Sequence, residues 1–301
     1  MRQEQFNSTG DIKSRQCFNR LNSKKVYALI APLILGFFAF HGLRWFEYAV
    51  TFHPERYDPA QAWQAPADGE DVWFATEGNL RLHGWFINSQ MKPALATVIY
   101  FHGNSGNLSH VGWLGESLSR RGFDVLLFDY RGYGRSEGSI LDERDLYADA
   151  DAAYNYVVNE RMVSPAEVVL YGQSLGTTAA VDVASRKQTS AIILESGLSS
   201  ASRMAEKMMP WVPQFLREFG RNRFESVKKL ARVHCPSLIT HGDPDPTIPA
   251  EQGRELFDAA NEPKKLMVIP GAGHCVFGFG GDGYFDQIAA FIREALTRRD
   301  E

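Results

Sequence analysis

The sequence predicts an α/β fold with a mostly parallel, eight-stranded sheet and helices on both faces, and three observations favour it. The chain has 301 residues, of which 44% are hydrophobic and 23% charged, so its composition is ordinary for a globular protein and its length allows one large core. Short, continuous apolar runs recur at wide spacing, as expected of strands buried on both faces. Stretches with helical periodicity separate these runs, and such alternation packs helices against both faces of one sheet.

The first strands are predicted to form an antiparallel hairpin, in which a short turn joins residues 72–76 to residues 80–87. The parallel strands follow in chain order at residues 97–101, 124–128, 167–171, 191–194, 237–240 and 265–269. Helices are predicted between or after them, at residues 111–121, 142–160, 250–260 and 284–297. Ligands of such sheets bind beyond the carboxyl ends of the strands, so functional residues are expected in the few positions after each run.

An N-terminal transmembrane helix is predicted at residues 26–43, an apolar run without a polar face that approaches the roughly 20 residues a spanning helix needs. Residues 1–25 carry six basic and two acidic side chains, so the positive-inside rule places this basic tail in the cytoplasm. Residues 44–70 are expected to be a tether, and residues 71–301 a soluble domain on the periplasmic or lumenal side of the membrane. A cleaved signal peptide is the alternative, but its basic leader is rarely this long and no small-residue cleavage site follows the run.

Charge and composition exclude several classes of protein. The formal net charge is −4, without the basic stripe of a nucleic-acid binder. Three cysteines are too few for a disulfide framework, and no pattern of histidine, cysteine and carboxylate residues has metal-ligand spacing. Residues 278–283 match G-x-G-x-x-G but lack the context of a dinucleotide site, so a loop near the functional site is expected there. The sequence thus indicates no metal, no cofactor and no nucleic-acid partner, and it leaves the oligomeric state open.

A serine nucleophile is predicted at Ser174. The letters G-Q-S-L-G at residues 172–176 follow an apolar run and precede a helical pattern, which is the strand–turn–helix context in which G-x-S-x-G presents a reactive serine. The glycines remove side chains that would block the strained turn. The oxyanion of a reacting carbonyl is expected to bind two backbone amides, those of Leu175 after the nucleophile and Asn104 in the loop after the first parallel strand. A structural turn serine is the alternative.

A serine hydroxyl becomes a nucleophile only when a base takes its proton, and in proteins with this elbow the acid and then the histidine follow it along the chain. His274 is the candidate base, because it alone among the histidines follows the last strand in a glycine-rich loop. Asp245 or Asp243, after the preceding strand, would orient the imidazole and stabilise its cation. We favour Asp245, and Glu195 is an alternative from a different strand end.

Taken together, five motifs resemble those of the α/β-hydrolase fold serine hydrolases, and within them the membrane-anchored alpha/beta hydrolase domain-containing, serine-aminopeptidase-like subgroup. The similarity runs from about Trp73 to the C-terminus, and its markers are H-G-N-S-G-N at 102–107, D-Y-R-G-Y-G-R-S-E-G at 129–138, G-Q-S-L-G at 172–176, H-G-D-P-D-P-T-I-P at 241–249 and G-A-G-H at 271–274. The family's acid usually lies three residues after the glycine of H-G, which supports Asp245. The sequence departs from the family pattern at residues 195–198 and 275–276, near the expected mouth of the site.

The resemblance implies a serine hydrolase that cleaves carboxylic esters through an acyl-enzyme intermediate, without a cofactor. A thioesterase that acts on acylated proteins, or a peptidase, would use the same three residues. A non-catalytic scaffold on the same fold is the alternative from another class of protein.

Residues 197–233 are expected to form a small helical cap. The candidate substrate-binding side chains in it are Met208, Met209, Trp211 and Phe215, since flexible methionines and aromatic rings suit apolar chains of varied shape. Beside a membrane anchor, such a cap indicates ester or thioester substrates that are lipid-like or carry an acyl chain. Two ordinary helices packed on the body are the alternative interpretation.

Overall fold

The computed structural model describes residues 10–60, 63–218 and 220–298. The chain divides after Ala49 into two compact units, and the second, Val50–Glu301, contains the sheet. The strands are β1 His53–Pro54, β2 Gly69–Ala75, β3 Arg81–Ile87, β4 Ala96–Phe101, β5 Ser105–Gly106, β6 Phe123–Phe128, β7 Val168–Gln173, β8 Ala191–Glu195, β9 Ser237–Gly242 and β10 Lys264–Ile269. The helices are α1 Gly10–Thr51, α2 Gly112–Ser119, α3 Glu143–Asn155, α4 Gly176–Ala184, α5 Ala201–Met208, α6 Gln214–Arg217, α7 Ser226–Leu230, α8 Ala250–Ala259 and α9 Val276–Thr297.

The first unit contains most of the long helix α1, which includes the predicted transmembrane segment. Over the residues that could be searched, no helix is both long enough and apolar enough to cross a membrane. Residues 1–9 and the side chains at positions 10–27, 29 and 39 lie outside the described part of the chain. The membrane anchor at 26–43 is therefore not confirmed, and the cytoplasmic tail at 1–25 stays a prediction.

The predicted sheet is confirmed as eight strands in the order β10-β9-β8-β7-β4-β6-β3-β2. Strands β2 and β3 form an antiparallel hairpin, and β3 pairs with β6 in antiparallel register. The other six strands, β6, β4, β7, β8, β9 and β10 in their order across the sheet, pair in parallel. Every residue of the central strands β4, β7, β8 and β9 is buried, as their continuous apolar sequences indicate. The strand bounds lie within about three residues of those predicted, so the carboxyl ends fall where functional residues are expected.

The sheet separates the core into two layers. Alternate strand residues such as Val98 and Tyr171 form one apolar cluster with side chains of α2 and α9. The residues between them, such as Ile99 and Leu170, are equally buried and face the layer in which α4 lies against β7. Helices therefore cover both faces of the sheet, and the ends of its strands stay accessible.

The last helix begins earlier than predicted. It starts at Val276, and the segment 278–283 that was expected to be a loop is helical on both sides of a break at Gly281, where φ is 54° and ψ is −148°. Four glycines in this segment hide the helical periodicity, so the sequence pattern becomes visible only from Tyr284 onward. The chain thus enters α9 almost directly after His274.

Residues from the predicted tether belong to the second unit from Val50 onward. Phe52 is 2% exposed and its ring packs edge-on against Phe224, and Trp63 is buried against Trp85. Between them, β1 pairs in parallel with β5. We call residues 52–57 the strap. Pro54, Pro59 and Pro66 disfavour long regular elements in this segment, but they do not prevent burial of its large aromatic side chains.

Candidate active site

The predicted elbow forms between β7 and α4. Ser174 has a φ of 54°, the left-handed region that a non-glycine residue rarely occupies. A Cβ atom on Gly176 would lie 2.0 Å from the Phe101 carbonyl oxygen, and one on Gly172 would lie 2.5 Å from the Gly176 carbonyl oxygen. The Ser174 amide donates a hydrogen bond of 2.8 Å to the carbonyl of Glu195 on β8. The turn therefore needs both glycines, and it fixes the serine backbone against the sheet.

The loop between β10 and α9 brings His274 to this serine. His274 Nε2 lies 2.9 Å from Ser174 Oγ, and His274 Nδ1 lies 2.8 Å from Asp245 Oδ2. A carboxylate accepts the proton on Nδ1, which leaves Nε2 free to accept the serine proton. Ser174 is 6% exposed and the side chain of Asp245 is fully buried. The three predicted residues thus form one continuous hydrogen-bonded line.

Asp245 is held in its ionised form by several donors. Its Oδ1 accepts hydrogen bonds from the Thr247 and Ile248 amides, at 2.8 and 2.9 Å, and His241 Nε2 lies 3.3 Å from its Oδ2. Burial alone would raise the pKa of Asp245, but hydrogen bonds from His241, His274 and the backbone outweigh it and hold this pKa well below its usual range. The carboxylate is therefore available as a fixed negative charge beside the imidazole.

The two other candidate acids have different partners. Asp243 Oδ1 accepts a hydrogen bond of 2.8 Å from the Gly271 amide, so this side chain braces the loop that carries His274. Glu195 lies beneath the site, and its carboxylate accepts from tyrosine hydroxyls. The structure thus pairs His274 with Asp245 and with neither alternative.

The fully buried Glu195 has a place in the site that sequence analysis missed. Its Oε2 accepts hydrogen bonds from the hydroxyls of Tyr171 and, at 2.8 Å, Tyr284. Its Oε1 accepts one of 3.3 Å from the Phe277 amide, three residues after the base. Burial raises its pKa, although these donors and the nearby imidazole oppose the shift. The backbone carbonyl of Glu195 also accepts a hydrogen bond from the Ser174 amide, so this residue links the elbow to the histidine loop. The sequence indicated only that an acidic residue lies at the end of a strand.

The loop after β4 lies directly beside the nucleophile. A Cβ atom on Gly103 would be 2.7 Å from Gln173 Oε1 and 3.5 Å from Ser174 Cβ. Among the described residues, the structure shows no hydrogen bond from the backbone amide of Asn104 or of Leu175. This placement is compatible with the oxyanion role, which for both residues stays a prediction.

Beneath this loop lie two buried titratable side chains. His102 Nδ1 donates to the Gly103 carbonyl at 2.8 Å, and burial lowers its pKa to about 4, so the ring is neutral at pH 7. Asp129 Oδ1 accepts a hydrogen bond of 2.7 Å from the Leu108 amide, and burial raises its pKa to about 8. In the described part of the chain, Asp129 Oδ2 has no hydrogen-bond partner.

The cap consists of the short helices α5, α6 and α7 with irregular connections. Of the four candidate substrate-binding residues, Met209 is half-buried, whereas Met208, Trp211 and Phe215 are 52%, 79% and 64% exposed. A cavity of about 370 Å³ within the cap is lined mainly by polar and charged residues, and none of the four candidates lines it. Three of the four candidates are therefore exposed apolar side chains, and the contact of all four with substrate stays a prediction.

Among the described residues, no group of three or more potential metal ligands lies together. The geometry of the candidate site allows Ser174 Oγ to pass its proton to His274 Nε2 and to take it back.

Comparison with known proteins identifies the family. A family profile described as alpha/beta hydrolase fold matches residues 96–234. The uncharacterized protein YfhR of Escherichia coli (strain K12) is 37% identical over 243 residues, which cover 77% of this chain and 83% of that protein. Alpha/beta hydrolase domain-containing protein 17B of Xenopus laevis is 32% identical over 202 residues, 67% of either chain.

Among solved structures, an esterase of Pyrococcus furiosus superposes with a TM-score of 0.65 and 22% sequence identity, covering 82% of this chain and 98% of the esterase. At this identity the likeness establishes the fold. The Xenopus protein is similar to this chain over two thirds of both sequences, and the solved esterase has the same fold. This chain therefore belongs to the alpha/beta hydrolase fold family.

Proposed function

We propose that the protein is a serine hydrolase that cleaves carboxylic esters through an acyl-enzyme intermediate. The observation that carries this proposal is the continuous line from Ser174 Oγ through His274 to Asp245, with 2.9 and 2.8 Å between the paired atoms. A serine at a positive φ on an elbow, within hydrogen-bonding reach of a base whose far nitrogen meets a buried carboxylate, has the arrangement of an activated nucleophile.

In the proposed reaction, Ser174 Oγ attacks the carbonyl carbon of the ester while its proton passes to His274 Nε2. The negative charge that forms on the carbonyl oxygen is stabilised by the Leu175 and Asn104 amides. His274 then protonates the leaving alkoxide, and the acyl group stays on the serine. A water molecule attacks the acyl-enzyme, again losing its proton to His274, and releases the carboxylic acid. Asp245 keeps its charge throughout and stabilises the imidazolium.

We infer a lipid-like or acylated substrate from the surface beside this site. The Lys207 ammonium, at the end of α5, donates to the Thr247 carbonyl at 2.7 Å, and Thr247 in turn donates its amide to Asp245. This contact ties the end of α5, where the exposed Met208 lies, to the loop that carries Asp245, which supports a role for that surface. Exposed apolar side chains at the mouth of a site favour a long acyl chain over an acetyl group. A membrane anchor at residues 26–43 would bring the site to such substrates.

The first experiment is covalent labelling by a fluorophosphonate probe, with Ser139→Ala as the control for Ser174→Ala, because Ser139 is exposed and bonds only its neighbour's carbonyl. The wild type and S139A should label and should hydrolyse p-nitrophenyl esters, and S174A should do neither. A folded wild type that fails to label would overturn the proposal and favour a scaffold.

A series of acyl chain lengths, measured on matched oxoesters and thioesters, tests the substrate class. We expect kcat/KM to rise from acetate to octanoate. A flat or reversed profile would reject the lipid-like substrate while leaving the serine mechanism standing, and faster turnover of the thioester would assign the chain to thioesterases.

A further inference from the structure

The strap lies along the loop that carries the predicted oxyanion donor. β1 and β5 pair in parallel, with His53 opposite Ser105 and Pro54 opposite Gly106. The His53 amide donates a hydrogen bond of 2.9 Å to the Asn104 carbonyl, and the Tyr133 hydroxyl donates another of 2.8 Å to the same oxygen. Asn104 is therefore held through its backbone from two directions.

A third contact, between side chains, also holds Asn104. Asn104 Nδ2 lies 3.1 Å from His53 Nδ1. Since an amide NH₂ group can only donate, His53 Nδ1 accepts, which places the imidazole proton on Nε2. One residue of the strap thus contacts both the backbone and the side chain of Asn104.

The strap is itself anchored on the body. The Gly134 amide donates to the Glu55 carbonyl at 2.8 Å, and the Tyr57 amide donates to the Gly134 carbonyl at 2.9 Å. The Arg56 guanidinium donates to the carbonyls of Ser136, at 3.0 Å, and Gly138, at 2.6 Å. The strap is therefore fixed to residues 134–138 of the body as well as to the loop, as a brace requires.

The loop needs such a brace. Gly103 and Gly106 flank the donor, and Gly106 has a φ of 79°, so the backbone between them has little intrinsic stiffness. An amide stabilises an oxyanion only when it is oriented before the charge forms, because reorientation during the reaction costs free energy. A contact that fixes Asn104 from outside supplies that orientation.

We infer that His53 is a positioning residue that orients the Asn104 amide toward the oxyanion. This inference rests on the proposed serine mechanism, in which His53 itself touches neither substrate nor reacting atoms. Its effect should fall on the step in which negative charge develops, and substrate binding should be spared.

The test compares full-length His53→Ala and His53→Asn with His234→Ala, an exposed histidine outside the site. Asparagine keeps an acceptor near the position of Nδ1. We expect H53A to lower kcat about three- to tenfold, the effect of one hydrogen bond, with KM within twofold. Its affinity for a trifluoromethyl ketone, which forms an oxyanion on Ser174, should fall by the same factor. H53N and H234A should stay within twofold of the wild type in both measurements.

A double-substitution cycle separates positioning from a general loss of fold. Asn104→Ala removes the same side-chain contact but keeps the backbone amide, so H53A and N104A together should cost no more than either alone. Additive losses, or H53A equal to H234A, would overturn the inference while Ser174-dependent turnover by the wild type still upheld the serine mechanism. If the wild type shows no Ser174-dependent turnover, both proposals fall.

Discussion

Besides Asp245, two fully buried carboxylates contact the segments that form the candidate site, and they are supported very differently. Glu195, beneath the elbow and the histidine loop, accepts hydrogen bonds from two tyrosine hydroxyls and one backbone amide. Asp129, beneath the oxyanion loop, accepts one hydrogen bond, from the Leu108 amide. The pKa of each is raised by burial, and that of Asp129 rises to about 8.

The difference shows how each side of the site is kept in place. The nucleophile side is braced from within, by a network that reaches β7, β8 and α9 through Glu195. On the other side Asp129 accepts a single hydrogen bond and is mostly protonated at pH 7, and the Asn104 residue of the loop is held by the Tyr133 hydroxyl and by the strap. Burial is the largest cause of both pKa shifts, and it is opposed by three hydrogen-bond donors at Glu195 but by one at Asp129.

The largest effect should come from removing the negative charge of Asp245 on the nucleophile side of the site. Asp245→Asn removes the carboxylate that fixes the proton on His274 Nδ1, so kcat for a p-nitrophenyl ester should fall about 10³- to 10⁴-fold with little change in KM. Asp243→Asn is the matched control, because asparagine keeps the Oδ1 acceptor for the Gly271 amide, and it should stay within about threefold. Equal losses in the two variants would contradict the assigned acid.

An intermediate effect should separate the two buried carboxylates directly. In Glu195→Gln the new NH₂ group must face either the tyrosine hydroxyls or the Phe277 amide, leaving buried donors unsatisfied. We expect a loss of about 2 kcal/mol in the free energy of unfolding, measured by urea denaturation at pH 7. Asp129→Asn keeps the acceptor for the Leu108 amide and resembles the protonated acid already present, so it should not lower the free energy of unfolding at pH 7. Similar losses in both variants would show that the two environments do not differ.

The smallest effect is the change in stability per pH unit that Asp129 contributes. Its pKa is about 8 in the folded chain against an ordinary value of 3.8, so the folded state holds a proton that the unfolded state releases. This contribution to stability is complete below about pH 4 and is lost as pH rises toward 8. The unfolding free energy of the wild type minus that of D129N should therefore fall across this window by about 1.4 kcal/mol per pH unit, and level off above it. A difference that is constant between pH 4 and 8 would mean that Asp129 is ionised when folded.

The sequence allowed the sheet and the triad to be predicted because both have local signals. Continuous apolar runs marked the buried strands, and Ser174 and His274 each lie in a glycine-rich turn directly after one. Spacing alone could not identify Asp245 as the acid, since Asp243 lies only two residues away. The structure distinguishes the two, because Asp243 accepts a hydrogen bond from the Gly271 amide and Asp245 meets His274.

The roles of Glu195 and the strap could not be predicted in this way. The three donors of Glu195 come from segments far apart in the chain, and none of them forms a recognisable motif. The strap pairs with a loop some 50 residues away through a strand of only two residues, too short to show any periodicity. Both depend on contacts that exist only once the sheet has formed.

The position of β1 also determines where the chain can be cut. A fragment that begins at residue 71 would keep the eight-stranded sheet and the line from Ser174 to Asp245, yet it would lack the brace on Asn104. Such a fragment would capture a fluorophosphonate while turning over esters slowly, and its low activity would be mistaken for a poor choice of substrate. The smallest fragment suitable for screening substrates therefore begins at Val50, where the second compact unit starts.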